Sequence, residues 1–365
     1  MLREIHEQPA SLAATLARYV QGHGFHPATT SHILDFFARI QAPLVIAASG
    51  SSRHAALVAE LMIEDLSGLA VDVEYASEYI YRSDNAWPNA AVMVVSQSGE
   101  TADTLAALRR ANLAGHQTLS ITNVPDSSMD REATVAFPTT AGRERAIPAT
   151  KSFTAQLLNL YLLALMSGVA RRTLNESTLT HRLDELAHLP ATIEAQLPHW
   201  DAEIESIAHN YRDCTSFLFL GRGLHYPIAR EGALKLKESA YLAAEGYPSG
   251  ELKHGPNALV SNGALLIMLA TVDPTNPDST ARYDKVVQLM RDMRAQGASI
   301  LALANRNDTT VAGLANHTIF IEPATESLLA IAEVIPLQLF AYHMAVLHGI
   351  DVDHPRNLTK AVLTE

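Results

Sequence analysis

Glu231, Lys235 and Glu238 follow one another at spacings of four and three, so a helix would stack all three on one face. Two carboxylates around one ammonium are either a solvated stripe worth little or acid–base groups gathered at a site. The other face carries Ile228, Ala233, Leu234, Leu236 and Ala240, which predicts a mostly buried helix and favours the second reading. The helix is expected over about Ala229 to Ala243, with Pro227 near its start, where proline is tolerated. A Gly/Pro-rich loop, Gly246-Tyr247-Pro248-Ser249-Gly250, follows and leads to Glu251-Leu252-Lys253-His254-Gly255-Pro256. A histidine framed by glycine and proline on a loop reads as a positioned acid–base group. The chain has 16 histidines, and most must be ordinary surface residues.

A second kind of chemistry is spelled by hydroxyls. Ser96-Gln97-Ser98-Gly99-Glu100-Thr101 lies between a strand pattern and a helix pattern, and Ser49-Gly50-Ser51-Ser52 occupies the same kind of position earlier. Backbone N–H groups and hydroxyls there can converge on one anion at the positive end of a helix dipole, with Gly99 allowing a tight turn. Serine and threonine also simply cap helices. Two such loops in one unit favour binding, because neighbouring strand ends of an open α/β sheet share one crevice.

The elements that must position these groups alternate. Leu44 to Ala48, Val71 to Tyr75, Ala91 to Val95, Thr118 to Thr122 and Thr134 to Phe137 read as strands. Ile5 to Val20, Thr29 to Ile40, Ala55 to Leu66 and Ala102 to Ala114 read as helices. The order recurs with strands at Phe217 to Leu220, Ala264 to Ala270, Ser299 to Ala304 and His317 to Ile321, and a helix at Ala281 to Ala295. This predicts two α/β units with parallel sheets and helices on both faces, related by internal duplication. Helical, charged sequence between about Arg171 and Asn210 joins them, and a helix near Leu329 to His348 feeds a polar tail, Asp351 to Glu365. The halves differ where it matters. The counterpart of the Ser96 loop is Thr271-Val272-Asp273-Pro274-Thr275-Asn276-Pro277, whose acid would repel a phosphate and whose prolines lack N–H donors. The first half is therefore expected to bind the anion.

Composition sets the outer bounds. The 365 residues suit two domains of ordinary size. Apolar residues at 48% and charged residues at 18% exclude a mainly disordered chain. The net charge, 27 − 39 = −12, and the absence of a basic run argue against a nucleic-acid partner. The single cysteine, Cys214, allows no intrachain disulfide and no thiolate-rich metal cage, and no other metal cluster or cofactor is expected. The apolar stretch from about Leu157 to Ala170, broken by Asn159 and Ser167, is expected to be too short to span a bilayer. The opening MLREIHEQPA does not read as a secretory signal, so a cytoplasmic location with no membrane partner is expected.

These segments resemble the double sugar-isomerase (SIS) domain family, and most of all the isomerase half of the glutamine:fructose-6-phosphate amidotransferases. The likeness runs nearly end to end: Glu4 to Pro9, SQSGET at 96–101, ATKSFTAQL at 149–157, EGALKLKES at 231–239, GELKHGP at 250–256 and DVDHPRNLTKAVLTE at 351–365. The resemblance implies two flavodoxin-like, doubly wound SIS units: residues 29–170, which hold the phosphosugar, and 206–350. A helical segment (1–28), a helical linker (171–205) and a tail (351–365) that closes the active site complete it. Ser96, Gln97, Ser98 and Thr101, with Ser49, Ser51 and Ser52, would hold phosphate and sugar, and Ile147 is counted with them. Glu238 would be the base moving a proton between C1 and C2, and Lys235 its neighbouring site lysine. His254 would promote ring opening from across a homodimer interface. Lys360 would form a Schiff base with the open ketose. These roles suit the residue types: a tuned carboxylate can shuttle a proton, a histidine titrates near neutrality, and a lysine is an amine nucleophile.

Two positions depart from the family: Ser49 stands where it has cysteine and Ala149 where it has serine. The family's synthases also carry a glutaminase domain with a terminal cysteine nucleophile, whereas here Leu2 follows Met1. Release of ammonia from glutamine by that route is not expected. Three functions remain open: glucosamine-6-phosphate deaminase, amination of fructose 6-phosphate with free ammonia or a separate glutaminase, and a sugar-phosphate-sensing regulator without turnover. A sensor needs only the binding loops, so Glu238, His254 and Lys360 together argue for an enzyme.

Overall fold

A computed structural model describes residues 1–83, 86–261 and 263–362. The chain divides into two compact units. The first comprises Glu7–Glu144, Lys151–Pro190 and the chain from Thr359; the second comprises Met1–His6, Arg145–Thr150 and Ala191–Leu358.

The chain opens with two helices, α1 (Leu2–His6) and α2 (Gln8–Tyr19), where one was expected. Pro9 sits at the start of the second, where its missing N–H costs no helical bond. After α3 (Pro27–Arg39) come the strands of the first unit: β1 (Leu44–Ala48), β2 (Val71–Tyr75), β3 (Ala91–Val95), β4 (Gln117–Ile121) and β5 (Val135–Ala136). They interleave with α4 (Gly50–Ser67), α5 (Ala76–Tyr79), α6 (Ala102–Leu113) and α7 (Ser128–Glu132). Within this five-stranded sheet every pairing is parallel, in the order β2-β1-β3-β4-β5, and Ala48, Tyr75, Val95 and Ile121 end level with one another; a short antiparallel hairpin, Val20–Gln21 with Gly24–Phe25, lies apart from it. β1 and β3 are apolar throughout because a parallel sheet is covered on both faces. Val45, Ala47, Val92 and Val94 pack against Ala107, Leu108, Ala111 and Met129 of α6 and α7. The alternate residues Leu44, Ile46, Met93 and Val95 are buried as well. α4 and the following α8 (Lys151–Ala170) pack on each other, with α2 and α3 against α8, to form the opposite layer.

Helix α9 (Glu176–Asn210) contains the boundary between the units. The second unit repeats the plan with β6 (Ser216–Gly221), α10 (His225–Ala240), β7 (Ala243–Pro248), β8 (Ala264–Ala270), α11 (Pro277–Ala295), β9 (Ser299–Asn305), α12 (Thr309–Leu314), β10 (His317–Ile321) and α13 (Glu326–Leu347). Its order is β10-β9-β8-β6-β7, again all parallel. In both units the strand order along the sheet is second, first, third, fourth, fifth, the flavodoxin-like doubly wound arrangement. One face (Leu218, Leu220, Leu266, Met268, Ile300) packs on Val286, Met290, Met293 and Val311 of α11 and α12. On the other, Phe217 meets Phe340 of α13 at 6.2 Å. A Cβ at Gly232 would lie 2.8 Å from Leu337 and 2.9 Å from Phe219, so the missing side chain lets α10 sit close to both neighbours.

Four expectations are corrected. The segment expected as a loop around Gly246 to Pro248 belongs to strand β7, hydrogen-bonded to β6, and α10 therefore ends at Ala240. Ala-Ala-Glu-Gly-Tyr-Pro has no β-branched residue and no alternation, so an edge strand leaves no pattern there. His254 ends a 3₁₀ helix, Ser249–His254, rather than lying on an open loop. Ser51 and Ser52 belong to the first turn of α4, with Ser49 as its N-cap. The apolar stretch near Leu157 belongs to α8, which is long and apolar enough to cross a bilayer, as is α13; 89% of the apolar window of each is buried inside the protein, as in core helices.

Candidate active site

In the first unit β1 and β3 are neighbours, and the chain leaves them for opposite sides of the sheet, which makes their C-terminal ends the switch point where ligands bind. Gly50, with φ +55°, turns the chain from Ser49 into α4. Ser52 is buried, and its Oγ accepts a hydrogen bond from Nε2 of Gln156 on α8 at 3.0 Å. Beyond β3, Ser96 is buried; its Oγ accepts from Gly99 N–H at 3.2 Å and lies 3.0 Å from Oγ1 of Thr101, the N-cap of α6. Ser98 Oγ accepts from Glu100 N–H at 3.2 Å, and the Glu100 carboxylate accepts from Ser128 N–H at 2.7 Å, fixing the loop to α7. Gly99 has φ +67°, and a Cβ there would stand 2.1 Å from Ser127 Oγ. Two helix N-termini thus open beside each other, lined by hydroxyls and carrying no lysine or arginine in their loops.

A cleft of about 960 Å³ in this unit is lined by Gln97, Ser98, Asn123, Thr139, Glu144 and Lys360, among others. The tail reaches it because Ala102 N–H, at the first position of α6, donates to Val362 O at 3.0 Å. Lys360 Nζ donates to Glu144 Oε2. The Glu144 side chain is buried and also accepts from Ser152 Oγ (2.6 Å) and Ser152 N–H (3.1 Å) at the start of α8. The structure therefore brings Gln97, Ser98 and Lys360 into one cavity. Ser52 and Ser96 are buried, and Ser49, Ser51 and Thr101 stand at the two helix starts. Asn123, Thr139 and Glu144 were missed by sequence reasoning. Arg143-Glu144-Arg145 reads as a charged surface loop, and its contacts to Ser152 and Lys360 are visible only in three dimensions.

In the second unit Glu231, Lys235 and Glu238 do share one face of α10. Lys235 Nζ lies 2.5 Å from Glu238 Oε2 and 3.4 Å from Glu231 Oε1. Glu231 and Lys235 are fully buried and the Glu238 side chain is 23% exposed, so this is a buried ion cluster with one carboxylate reaching solvent. Ile147 lies in a loop whose backbone is pinned: Glu4 accepts from Arg145 N–H at 2.5 Å and Ala146 N–H at 3.3 Å, and Ile147 N–H donates to Asp353 O at 3.1 Å. His254 is exposed. The counterpart of the hydroxyl-lined crevice, between the ends of β6 and β8, holds a second charge cluster. His225 is buried, with Nδ1 2.8 Å from Glu333 and Nε2 3.3 Å from Glu326; Arg282 pairs with Glu326, and Thr271 donates to Glu333. Burial acts to lower the His225 pKa, but the Glu333 and Glu326 carboxylates outweigh it and raise the value to about 10. Burial acts to raise Glu326, but hydrogen bonds from His225 and Arg282 bring it down to about 2.

A doubly wound sheet used twice, with a hydroxyl-lined switch point in one copy, defines a class of two-domain α/β ligand-binding proteins. Within that class the assignment is specific: the SIS domain profile matches residues 41–166 and 210–348, and the chain belongs to the SIS domain family. It is 42% identical over 367 residues to the glutamine–fructose-6-phosphate aminotransferase (isomerizing) of Pseudomonas putida, covering 100% of this chain and 59% of that protein. The protein of the same description from Chlorobaculum tepidum is 39% identical over 374 residues, with 100% and 58% covered. The chain thus spans about three fifths of the length of these curated relatives. Among solved structures, the C-terminal domain of glucosamine-fructose-6-phosphate aminotransferase from Francisella tularensis superposes with TM-score 0.89 at 34% identity, covering 97% of each chain. A glucosamine-6-phosphate deaminase from Thermotoga maritima, at 20% identity and TM-score 0.72 over 99% of this chain and 98% of that one, shares the fold.

Proposed function

We propose that the chain is a phosphosugar aldose–ketose isomerase that converts glucosamine 6-phosphate and water to fructose 6-phosphate and ammonia. The observation that carries this reading is the meeting of the tail lysine, Lys360, with Gln97 and Ser98 in one cleft of the first unit. An anion subsite beside an amine is what an imine-forming phosphosugar enzyme requires. In this reading the Ser49–Ser52 and Ser96–Thr101 loops hold the phosphate, with Ile147 among the sugar contacts. Lys360 attacks the open-chain carbonyl. Glu238, with Lys235 beside it, moves the proton between C1 and C2. His254, exposed on its 3₁₀ turn, opens the ring in the site of a second copy, making the working unit a homodimer.

The reverse direction, amination of fructose 6-phosphate by free ammonia or a separate glutaminase, is the second reading. Similarity along the whole of this chain to three fifths of proteins described as aminotransferases, and to the C-terminal domain of one, supports it. The test is an assay of purified protein in both directions, with glucosamine 6-phosphate on one side and fructose 6-phosphate plus ammonium on the other. Ammonia release supports the first reading and glucosamine 6-phosphate formation the second. Binding without turnover in either direction overturns both in favour of a sensor.

A further inference from the structure

We infer that Glu144 is the positioning residue of the tail lysine: a carboxylate built into the core that sets where Lys360 Nζ stands in the cleft and serves as its counter-ion. The inference rests on the imine-forming reading above and names a residue which that reading does not contain. The two partners differ in how firmly the fold holds them. Glu144 has a fully buried side chain whose oxygens are fixed by Ser152 N–H and Oγ at the first turn of α8. That position also places its charge at the positive end of the helix dipole. Lys360 lies in a stretch with no helix or strand, and its side chain is 26% exposed. Of the pair, the carboxylate is the fixed point. A charge-assisted contact to a buried, immobile carboxylate restricts the flexible lysine far more than a surface pair would.

The charge balance of imine formation gives this contact its use. The ammonium first gives up a proton, and Glu144 is beside it to accept one. The free amine adds to the carbonyl carbon, forming the C–N bond. The proton then returns as the carbinolamine hydroxyl leaves as water. The product is a protonated imine with the same single positive charge as the starting ammonium, so one fixed anion stabilises both ends of the step. The backbone of the tail is tied separately, through the Val362–Ala102 hydrogen bond two residues beyond the lysine.

The experiment uses the full chain and Glu144→Gln, which keeps an oxygen for Ser152 and removes the charge. Two readouts are taken. The first is limited trypsin cleavage after Lys360, followed by mass spectrometry, which needs no sugar chemistry. Release of the tail should accelerate cleavage about tenfold. The second is trapping of the Lys360–fructose 6-phosphate imine with cyanoborohydride, read as a mass increment on the Lys360 peptide. It should slow by about tenfold or more, while binding of sorbitol 6-phosphate, which has no carbonyl, is retained. Unchanged cleavage and unchanged trapping overturn the inference. Faster cleavage with wild-type trapping overturns the positioning role. If the wild-type protein traps no sugar on Lys360, the imine-forming reading fails, and with it Glu144's role in that step; the cleavage arm then reports separately on whether Glu144 holds the tail.

Discussion

The Glu333 carboxylate lies 2.8 Å from Nδ1 of His225, between the C-terminal ends of β6 and β8, at the point of the second unit that corresponds to the hydroxyl-lined crevice of the first. Thr271, the first residue after β8, donates its hydroxyl to the same carboxylate. In the first unit the matching long helix sends a neutral amide, Gln156, to Ser52 at that place. The second crevice therefore already contains an anion, contributed by α13. The Asp273–Pro277 loop is read from sequence as hostile to phosphate, and the Glu333 carboxylate adds a second acidic group at the same crevice. Glu333→Ala is expected to cost about 3–5 kcal/mol, because it removes the buried carboxylate paired with His225 Nδ1 and accepting from the Thr271 hydroxyl. Acetate, small enough for the vacated space, should restore part of the denaturation midpoint where chloride does not. Equal midpoints with and without acetate would show that the crevice does not select a carboxylate.

His225 makes this cluster pH-dependent on the alkaline side. Its folded pKa, about 10, lies above the unfolded value near 6.5. Its contribution to stability is complete below pH 6.5 and is lost as the pH rises through about 10. Glu326 acts in the opposite sense: lowered to about 2, it contributes fully above about pH 4.5 and loses that contribution as the pH falls toward 2. Urea midpoints measured from pH 6 to 10 should fall for the wild type, and the fall should be shallower for His225→Gln. Parallel curves for the two proteins would remove His225 as the cause.

How much of this was legible in the sequence depended on whether a pattern was local. β1, β3 and β8 are unbroken apolar runs ended by turn residues, and all three were read within a residue of their bounds. The repeated strand order gave the duplication. β7 was invisible because its pairing with β6, not its composition, makes it a strand. α8 was missed as a helix because residues apolar on every side leave no periodic stripe. The same contrast holds at the site. The Glu231–Lys235–Glu238 face followed from spacing, but only burial separates a solvated stripe from a paired cluster. Glu144 has partners 8 and 216 residues away along the chain, and no window of sequence connects them.

Gly99→Ala tests whether the Ser96–Thr101 loop, proposed above to hold the phosphate, depends on its backbone geometry. The new Cβ would collide with Ser127 Oγ and sit on a residue with φ +67°. Ser127→Gly removes both the Oγ and the Cβ that obstruct the new side chain, the latter 2.4 Å from the new Cβ, but not the left-handed conformation. Sorbitol 6-phosphate affinity, measured by calorimetry, should fall at least about tenfold in the single variant, from local strain of about 1–3 kcal/mol. It should recover only in part in the double variant. Full recovery would assign the effect to the side-chain collision alone.

Glu238 and Lys235 are 2.5 Å apart but differ in burial, so their substitutions are expected to act differently. Lys235 is enclosed, with its ammonium between Glu231 and Glu238. Lys235→Met would leave the buried Glu231 carboxylate without that ammonium and should cost about 3–5 kcal/mol, seen as a lower urea midpoint before any question of activity arises. Glu238 stands at the open end. Glu238→Gln leaves Lys235 beside Glu231 at 3.4 Å and preserves the side chain's shape, so the midpoint should move by about 1 kcal/mol or less. Turnover should fall by about 10²–10⁴-fold, the range expected when a positioned general base is removed, with sorbitol 6-phosphate binding intact. The diagnostic is the divergence between the variants, one losing stability and the other losing chemistry. A Glu238→Gln protein with wild-type turnover would move the proton transfer to another residue, and a Lys235→Met protein with wild-type stability would mean the cluster contributes little to the fold.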